Sequence, residues 1–186
     1  MQELSLHVYD LAVNSLKAGA SRICIEIRCH ESDDLLTIQV TDNGAGMDSA
    51  ILKKAADPFY TSRPGRSAGL GLSLFKQSAE SCGGSFKLNS EPGRGTRVLG
   101  EFIYSHKDRV PLGDIGMTVG QLICLNENVE IEYTFSADTY EFSLSTREIY
   151  EALEGLALNT PIVIEEVIRL IREKMGNNNL ESGRKI

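Results

Sequence analysis

The chain of 186 residues contains no apolar run near the roughly 18 residues that a transmembrane helix requires. Its first four residues lack the basic and apolar pattern of a secretory signal peptide. The four cysteines form no C-x-x-C pair and have no histidine partners at zinc-site spacing. We therefore expect a soluble cytoplasmic protein without membrane contact, in which the cysteines are small, buried apolar residues.

An excess of basic charge is also absent, because the formal net charge is -7 at pH 7. This charge argues against non-specific binding to nucleic acid, although a local basic patch is compatible with it. A hydrophobic content of 41% and a charged content of 24% are ordinary for a globular protein. No internal repeat is present. The length is sufficient for one substantial core with a small second lobe.

An alternating strand leads into an acidic, glycine-containing motif in the first half of the chain. Leu36, Ile38 and Val40 share one face of that strand, and residues 42–47 follow as Asp-Asn-Gly-Ala-Gly-Met. Glycine lets backbone approach a ligand closely, and the Asp42 carboxylate can accept a hydrogen bond from a ligand amine. The same residue types are also typical of a hairpin turn, so the motif alone leaves both interpretations open.

The first predicted helix, residues 2–17, carries two stripes at spacings of four and three. The buried stripe consists of Leu4, Val8, Leu11 and Ser15. The polar stripe consists of Glu3, His7, Asp10, Asn14 and Lys17. A solvated helix face explains the polar stripe. Alternatively, the carboxylate of Asp10, the amide oxygen of Asn14 and the ammonium group of Lys17 suit a metal-bound phosphate.

A second glycine motif opens a later helix. Prolines and a glycine predict a loop over residues 57–65, and a helix that follows Gly69 and Gly71 extends to about Ser81. Free N–H groups and the positive end of the helix dipole would face a phosphate there. A tight helix entry also explains the two glycines.

Residues 1–105 predict the element order α–β–β–α–α–β–β. This order indicates an α+β fold in which helices pack on one face of a mixed, largely antiparallel sheet. Within it, Asp48 is the predicted N-cap of a helix over residues 48–56.

Residues 106–176 predict a small α+β lobe of unknown role. In it Asp114 caps a helix, a hairpin follows, and a capping-box pattern at Ser145 begins a short helix that ends near residue 156. Pro161 begins the final helix, which is predicted to end near Gly176. Residues 177–186 are predicted to be a disordered tail.

Five motifs, taken together and in order, resemble those of the GHKL superfamily of ATP-binding domains: gyrase, the heat-shock chaperone ATPase, histidine kinases and MutL. The motifs are an asparagine box (10–20), a first glycine box (42–46), a phenylalanine box (57–63), a second glycine box (69–72) and a glycine-threonine element (93–96). The resemblance covers residues 1–105. It implies the α/β sandwich of that superfamily and binding of ATP with Mg²⁺.

The resemblance also implies roles for individual residues. Asn14 would coordinate the Mg²⁺ that bridges the phosphates, and Lys17 would lie near the phosphates. Asp42 would accept a hydrogen bond from the adenine amino group, and Thr96 would help to hold the adenine edge. The other expected nucleotide contacts are Gly44, Gly46 and Met47; Phe59, Thr61 and Arg63; and Gly69, Leu70, Gly71 and Leu72. Core packing of Phe59 and a solvent-facing Arg63 are the alternatives for those two residues.

Asp10 departs from the pattern of hydrolytic members, which carry a glutamate there as general base. Most histidine kinases carry an asparagine at this position, and anti-sigma serine kinases carry an acid. Since aspartate is one methylene shorter than glutamate, the resemblance leaves open whether Asp10 is a catalytic base or a solvated side chain.

Only three residues precede the first helical turn, so we do not expect a complete sensor histidine kinase with its own phosphoacceptor. Three functions remain. The first is a regulatory protein that phosphorylates a protein partner or slowly hydrolyses ATP, like an anti-sigma serine kinase. The second is a weak ATPase whose nucleotide state switches residues 106–186. The third is a non-catalytic, nucleotide-sensing module that binds partners.

Overall fold

The computed structural model describes residues 3–57, 70–154 and 157–182, with side chains as far as residue 176. Within these ranges the chain forms six helices and six strands. The helices are α1 (Leu4–Lys17), α2 (Ser49–Leu52), α3 (Leu70–Ser81), α4 (Ile115–Leu125), α5 (Thr146–Ala152) and α6 (Pro161–Ser182). The strands are β1 (Arg22–His30), β2 (Leu35–Asp42), β3 (Ser85–Glu91), β4 (Gly95–Ile103), β5 (Glu130–Ala137) and β6 (Tyr140–Ser145).

The described strands form a sheet in the order β3-β4-β2-β1-β5-β6. β1 and β5 pair in parallel, and the other neighbouring pairs in this order are antiparallel. Helices α1, α3 and α4 contact strands of this sheet. The predicted α+β fold, with helices over a mixed and largely antiparallel sheet, is confirmed.

The apolar face of the sheet forms the floor of the core. Ile23, Ile25 and Ile27 of β1 are fully buried and alternate with polar side chains. Burying such a side chain contributes about 1.5–3 kcal/mol, which fixes the register because a one-residue slip would expose the whole set. The predicted buried stripe of α1 is confirmed, since its buried residues include Leu4, Val8, Leu11 and Ser15.

The elements after residue 105 extend the same sheet. β5 lies beside β1, with Arg22 opposite Glu130 and Ile27 opposite Phe135. Helix α4 packs on both α1 and α6. The sheet and the hydrophobic core therefore both include residues from either side of the boundary predicted at residue 105.

Two predicted caps are confirmed. The Asp48 carboxylate accepts hydrogen bonds from the N–H groups of Ala50 and Ile51, and Asp114 accepts one from Met117. However, α2 ends at Leu52 and not at residue 56. None of its residues is buried, so no apolar stripe supports a longer helix.

The ends of α5 and α6 differ from the predictions. α5 ends at Ala152 because Glu154 adopts a positive φ of 52°, which a continuing helix does not allow. α6 continues through Gly176 to Ser182, beyond its predicted end near Gly176. One glycine costs a helix only about 1 kcal/mol relative to alanine. Residues 183–186 lie outside the described ranges.

Cys29 and Cys82 are buried as predicted, whereas Cys24 is partly exposed and Cys124 is exposed. The prediction of burial is therefore wrong for Cys124, which lies near the C-terminal end of α4. Across the described ranges, the helices are all too short or too polar to cross a membrane.

Candidate nucleotide site

Asp42, the last residue of β2, is the central residue of the candidate site and is only 9% exposed. Its Oδ2 accepts a hydrogen bond of 2.6 Å from the Ser15 hydroxyl on α1. Its Oδ1 accepts from the backbone N–H groups of Gly44 at 2.8 Å and Thr96 at 3.3 Å. A carboxylate offers about four acceptor positions, so three protein donors leave capacity for one donor from a ligand.

The loop after Asp42 approaches the C-terminal end of α1 at Gly44. A Cβ at Gly44 would lie 2.9 Å from the carbonyl oxygen of Ala18, and Ala45 N–H donates to that same oxygen at 2.9 Å. Gly46 has a φ of +66°, and a Cβ there would lie 1.9 Å from the carbonyl oxygen of Glu91. Both glycines thus permit close contacts within the protein, and their role toward a nucleotide stays a prediction.

Side-chain hydrogen bonds fix the two ends of this loop. The Asn43 amide oxygen accepts from the N–H groups of Ser21 and Arg22, each at 2.9 Å. Ser90 on β3 accepts from Met47 N–H at 2.8 Å, and its hydroxyl lies 3.0 Å from the Thr96 hydroxyl. Two of the predicted contact residues, Met47 and Thr96, are therefore joined through Ser90.

The polar face of α1 meets the start of α3. A Cβ at Gly71 would lie 3.2 Å from Cβ of Asp10 and 3.7 Å from Nδ2 of Asn14. The structure thus brings two motifs together that are separated by some 60 residues in the sequence. Because the first N–H groups of a helix lack intrahelical partners, the start of α3 can donate hydrogen bonds to an anion beside Asp10 and Asn14.

Phe75 holds α3 on the sheet. It is fully buried, and its ring lies over Gly100 of β4, where a Cβ would come within 2.5 Å of the ring. Its ring centroid is 5.7 Å from that of Phe102 and 6.3 Å from that of Phe86. The aromatic cluster therefore sets how close the beginning of α3 lies to α1.

His7 does not belong to the exposed polar face of α1. It is 5% exposed, and its ring centroid lies 5.9 Å from that of Phe75. Burial lowers the pKa of His7 below its usual value of 6.5, and the negative charge of Asp10 opposes this shift only partly. The predicted polar stripe was wrong at this position, whereas Asp10, Asn14 and Lys17 are exposed.

Four predicted contact residues, Phe59, Thr61, Arg63 and Gly69, lie outside the described residues. Leu70 is 47% exposed at the first position of α3, and Leu72 packs partly against the core. The sequence pattern indicated Ser15 only as a member of the buried stripe and not as the partner of Asp42. A serine among apolar stripe residues was the signal, because a buried hydroxyl needs a hydrogen-bond partner.

The residues fit a nucleotide with Mg²⁺. Asp42 can accept from an exocyclic amino group, and the Asn14 amide oxygen is a ligand type that Mg²⁺ takes. Within the described part of the chain, no group of three or more His, Cys, Asp or Glu side chains could hold a metal alone.

The family model described as histidine kinase-, DNA gyrase B-, and HSP90-like ATPase matches residues 2–103. A sensor protein of Shewanella frigidimarina is 31% identical over 109 residues, which are 58% of this chain and 17% of that protein. The sensor histidine kinase YxdK of Bacillus subtilis is 33% identical over 107 residues, 54% of this chain and 32% of that protein. The sensor protein kinase FleS of Pseudomonas aeruginosa is 36% identical over 90 residues, which are 48% of this chain and 22% of that protein.

The chain thus spans less than a third of the length of each of these relatives. Among solved structures, the N-terminal domain of a DNA repair protein superimposes with a TM-score of 0.52 at 18% identity. That likeness covers 78% of this chain and 53% of the other, and it concerns the fold alone. A likeness over 78% of the chain is longer than the family model, which ends at residue 103. The shared fold therefore includes part of the chain after that residue.

Proposed function

The chain belongs to the family of histidine kinase-, DNA gyrase B- and HSP90-like ATPases, and on this premise we propose that it binds ATP with Mg²⁺ at Asp42 and the polar face of α1. We propose further that it is a regulatory protein kinase, resembling anti-sigma serine kinases, or a slow ATPase. A protein partner would be the phosphoacceptor in the first case, and water in the second.

The carboxylate environment of Asp42 is the observation that carries the proposal. Ser15, Gly44 and Thr96 hold the carboxylate with three hydrogen bonds, so its position is set before any ligand arrives. A preorganised, nearly buried acceptor selects an amino group, because a ligand without that donor would leave the carboxylate incompletely solvated. The adenine amino group provides this donor.

The exposed side chains of α1 supply the functional groups for the phosphate end. Lys17 can neutralise phosphate charge, and the Asn14 amide oxygen can bind Mg²⁺. Asp10 lies beside the start of α3, where its carboxylate can take a proton from an attacking hydroxyl or water. ATP, when bound, supplies the phosphoryl group that is transferred.

A second candidate function, a nucleotide-dependent conformational switch, is favoured by the contacts at the N-terminal end of α1. Glu3, the N-cap of α1, makes no side-chain capping hydrogen bond. The N–H groups of Leu4 and Ser5 instead donate to the carbonyl oxygens of Pro111 and Leu112, at 3.0 and 2.8 Å. A shift of α1 on nucleotide binding would therefore act directly on the segment before α4.

ATP binding is tested by isothermal titration calorimetry with Mg²⁺-ATP on the wild type, Asp42→Asn and Asp33→Asn. Asp33 lies in the exposed β1–β2 turn and is the matched control. We expect Asp42→Asn to weaken binding by about 10- to 150-fold, the equivalent of about 1.5–3 kcal/mol for a charge-assisted hydrogen bond. Unchanged affinity in a folded Asp42→Asn protein would contradict the proposed site.

The switch is tested by hydrogen exchange of residues 111–118 with and without Mg²⁺-ATP. Slower exchange of the Thr118 region with nucleotide would support coupling, because the Thr118 hydroxyl bonds the Ser5 carbonyl at 3.2 Å. Equal exchange, together with tight binding, would argue against a switch. If neither turnover nor transfer is then found, the third hypothesis, a nucleotide-sensing module, is favoured.

A further inference from the structure

The negative charge of the chain is concentrated in one segment. Residues 126–160 contain eight acidic side chains and one basic side chain, Arg147, a balance equal to the net charge of -7 of the whole chain. The rest of the sequence therefore has a formal net charge of zero. This segment forms β5, β6 and α5, on the far side of β1 from β2.

A groove of about 480 Å³ lies within this segment, where the turn before β5 faces α5. Val129 and Leu158, which are 6% and 5% exposed, form its apolar floor, and Tyr150, 48% exposed, stands at its side. Glu127 and Glu130 belong to the wall opposite α5. Arg147 lines the α5 side, where it is already paired with Glu151. An apolar floor beside a wall that carries two glutamates is a shape that an apolar side chain with basic neighbours can fill.

The wall formed by α5 is rigidly placed. The Thr146 hydroxyl accepts a buried hydrogen bond of 2.9 Å from Ile131 N–H of β5. The Ser145 hydroxyl accepts from Arg147 N–H at 3.2 Å and so caps the helix. The groove is therefore a preformed feature, and binding to it would not require ordering of α5.

The acidic side chains around the groove are largely without cationic partners. Arg147, the only base in the segment, is already paired with Glu151 at 3.1 Å. Among the described residues, Glu127, Glu148 and Glu154 have no ion-pair partner within 4.0 Å, and each is exposed. Their charges add to a negative potential that neither a nucleic acid nor an acidic peptide would approach.

We propose that this groove binds a basic peptide segment of a partner protein, with an apolar side chain on Val129 and Leu158 and flanking lysine or arginine side chains beside Glu127 and Glu130. The apolar contact anchors the segment, and the carboxylates of Glu127 and Glu130 increase the association rate and select its charge. This site is separate from the proposed nucleotide site, so either proposal can fail without the other.

The test uses the full chain and a fluorescein-labelled synthetic peptide of about ten residues, with a central leucine flanked by lysines. A counterpart with glutamates in place of the lysines measures charge selection. Anisotropy titrations give affinities, and amide chemical shifts of the ¹⁵N-labelled protein locate the peptide. We expect binding of the lysine peptide that weakens as salt increases, with shifts confined to the groove residues.

Variants then test the residues. We expect Glu127→Gln with Glu130→Gln to weaken peptide binding by about 3- to 30-fold. Tyr150→Ser should weaken peptide binding equally at low and high salt, because it affects the apolar contact that anchors the peptide. Glu141→Gln, an exposed acid of the same segment on β6 outside the groove, is the control and should have little effect. ATP affinity should remain unchanged in all of them.

Absence of binding of the lysine peptide would overturn the proposal, and so would equal binding of the glutamate counterpart. It would also be overturned if the control weakened binding as much as the groove variants did. Chemical shifts centred on α1 and α3 would assign the peptide to the nucleotide site and reject the groove. Thermal unfolding of each variant shows that these results come from a folded protein.

Discussion

The Ser15 hydroxyl of α1 donates a hydrogen bond of 2.6 Å to Oδ2 of Asp42 at the end of β2. Both residues are buried. Through this one contact, the helix that carries Asp10 and Asn14 is joined to the acceptor proposed for adenine. The two ends of the proposed nucleotide site are therefore positioned relative to each other by a buried polar pair.

Ser15→Ala is expected to lower the free energy of unfolding by about 1–3 kcal/mol, because one acceptor of a buried carboxylate loses its donor. Urea unfolding measures the change. Ser81→Ala is the matched control, since the exposed Ser81 hydroxyl bonds only local groups, the Ser78 carbonyl of its own helix and the adjacent Cys82 sulfur. We expect a change within about 0.5 kcal/mol. Equal values for the two variants would show that the Ser15–Asp42 contact does not stabilise the fold.

Asp10→Asn is expected to reduce Mg²⁺-dependent phosphate release from ATP by about 100- to 10,000-fold, because the amide cannot accept the proton of the attacking water. The ATP affinity should be retained, since Asp10 is not part of the Asp42 environment. Asp33→Asn is the control. An unchanged rate in Asp10→Asn would show that Asp10 is a solvated side chain and not the base. If no protein variant releases phosphate while ATP still binds, transfer to a protein partner is the remaining reaction.

Gly116→Ala is expected to destabilise the protein by about 1–3 kcal/mol, although alanine favours helix by about 1 kcal/mol. A Cβ at Gly116 would lie 2.8 Å from the backbone oxygen of Ile168, which cannot rotate away. Gly176→Ala in α6 is the control, because nothing lies within 4 Å of its added Cβ. It should stabilise by about 0.5–1 kcal/mol. Stabilisation by both changes would show that α4 and α6 do not pack as closely as described.

His7 is expected to make stability depend on pH between its lowered folded-state pKa and 6.5. In that window the unfolded chain binds more protons than the folded one, so stability falls as the pH decreases and is fully regained above 6.5. The melting temperature is measured between about pH 7.5 and pH 5.5. We expect His7→Gln to flatten this dependence, while the partly exposed His106→Gln leaves it as in the wild type. An equally steep profile in His7→Gln would assign the dependence to other groups.

Features that depend on neighbours a few residues away were predicted correctly. The caps at Asp48 and Asp114 need only N–H groups two or three residues further on. The alternation in β1 and β2 and the buried stripe of α1 follow from side-chain periodicity alone. Helix ends were predicted less well, because Glu154 adopts a positive φ although glutamate is not a residue type that favours this conformation.

Contacts between distant segments could not be predicted from such patterns. His7 has the spacing of a polar surface residue, yet Phe75 of α3 covers it. Ser15 has the spacing of a core residue, yet its hydroxyl bonds Asp42 of the candidate site, 27 positions away. In each case the environment of the side chain is set by a helix or strand from elsewhere in the chain.

Element types, the apolar face of the sheet and the candidate nucleotide-binding residues could be inferred from the sequence, because periodicity and residue chemistry are local properties. The pairing of β5 with β1, the contacts of the first N–H groups of α1 with Pro111 and Leu112, and the groove within the acidic segment became visible only in the folded chain. These relations join residues far apart in the chain, and only packing of the complete core selects among the possible pairings.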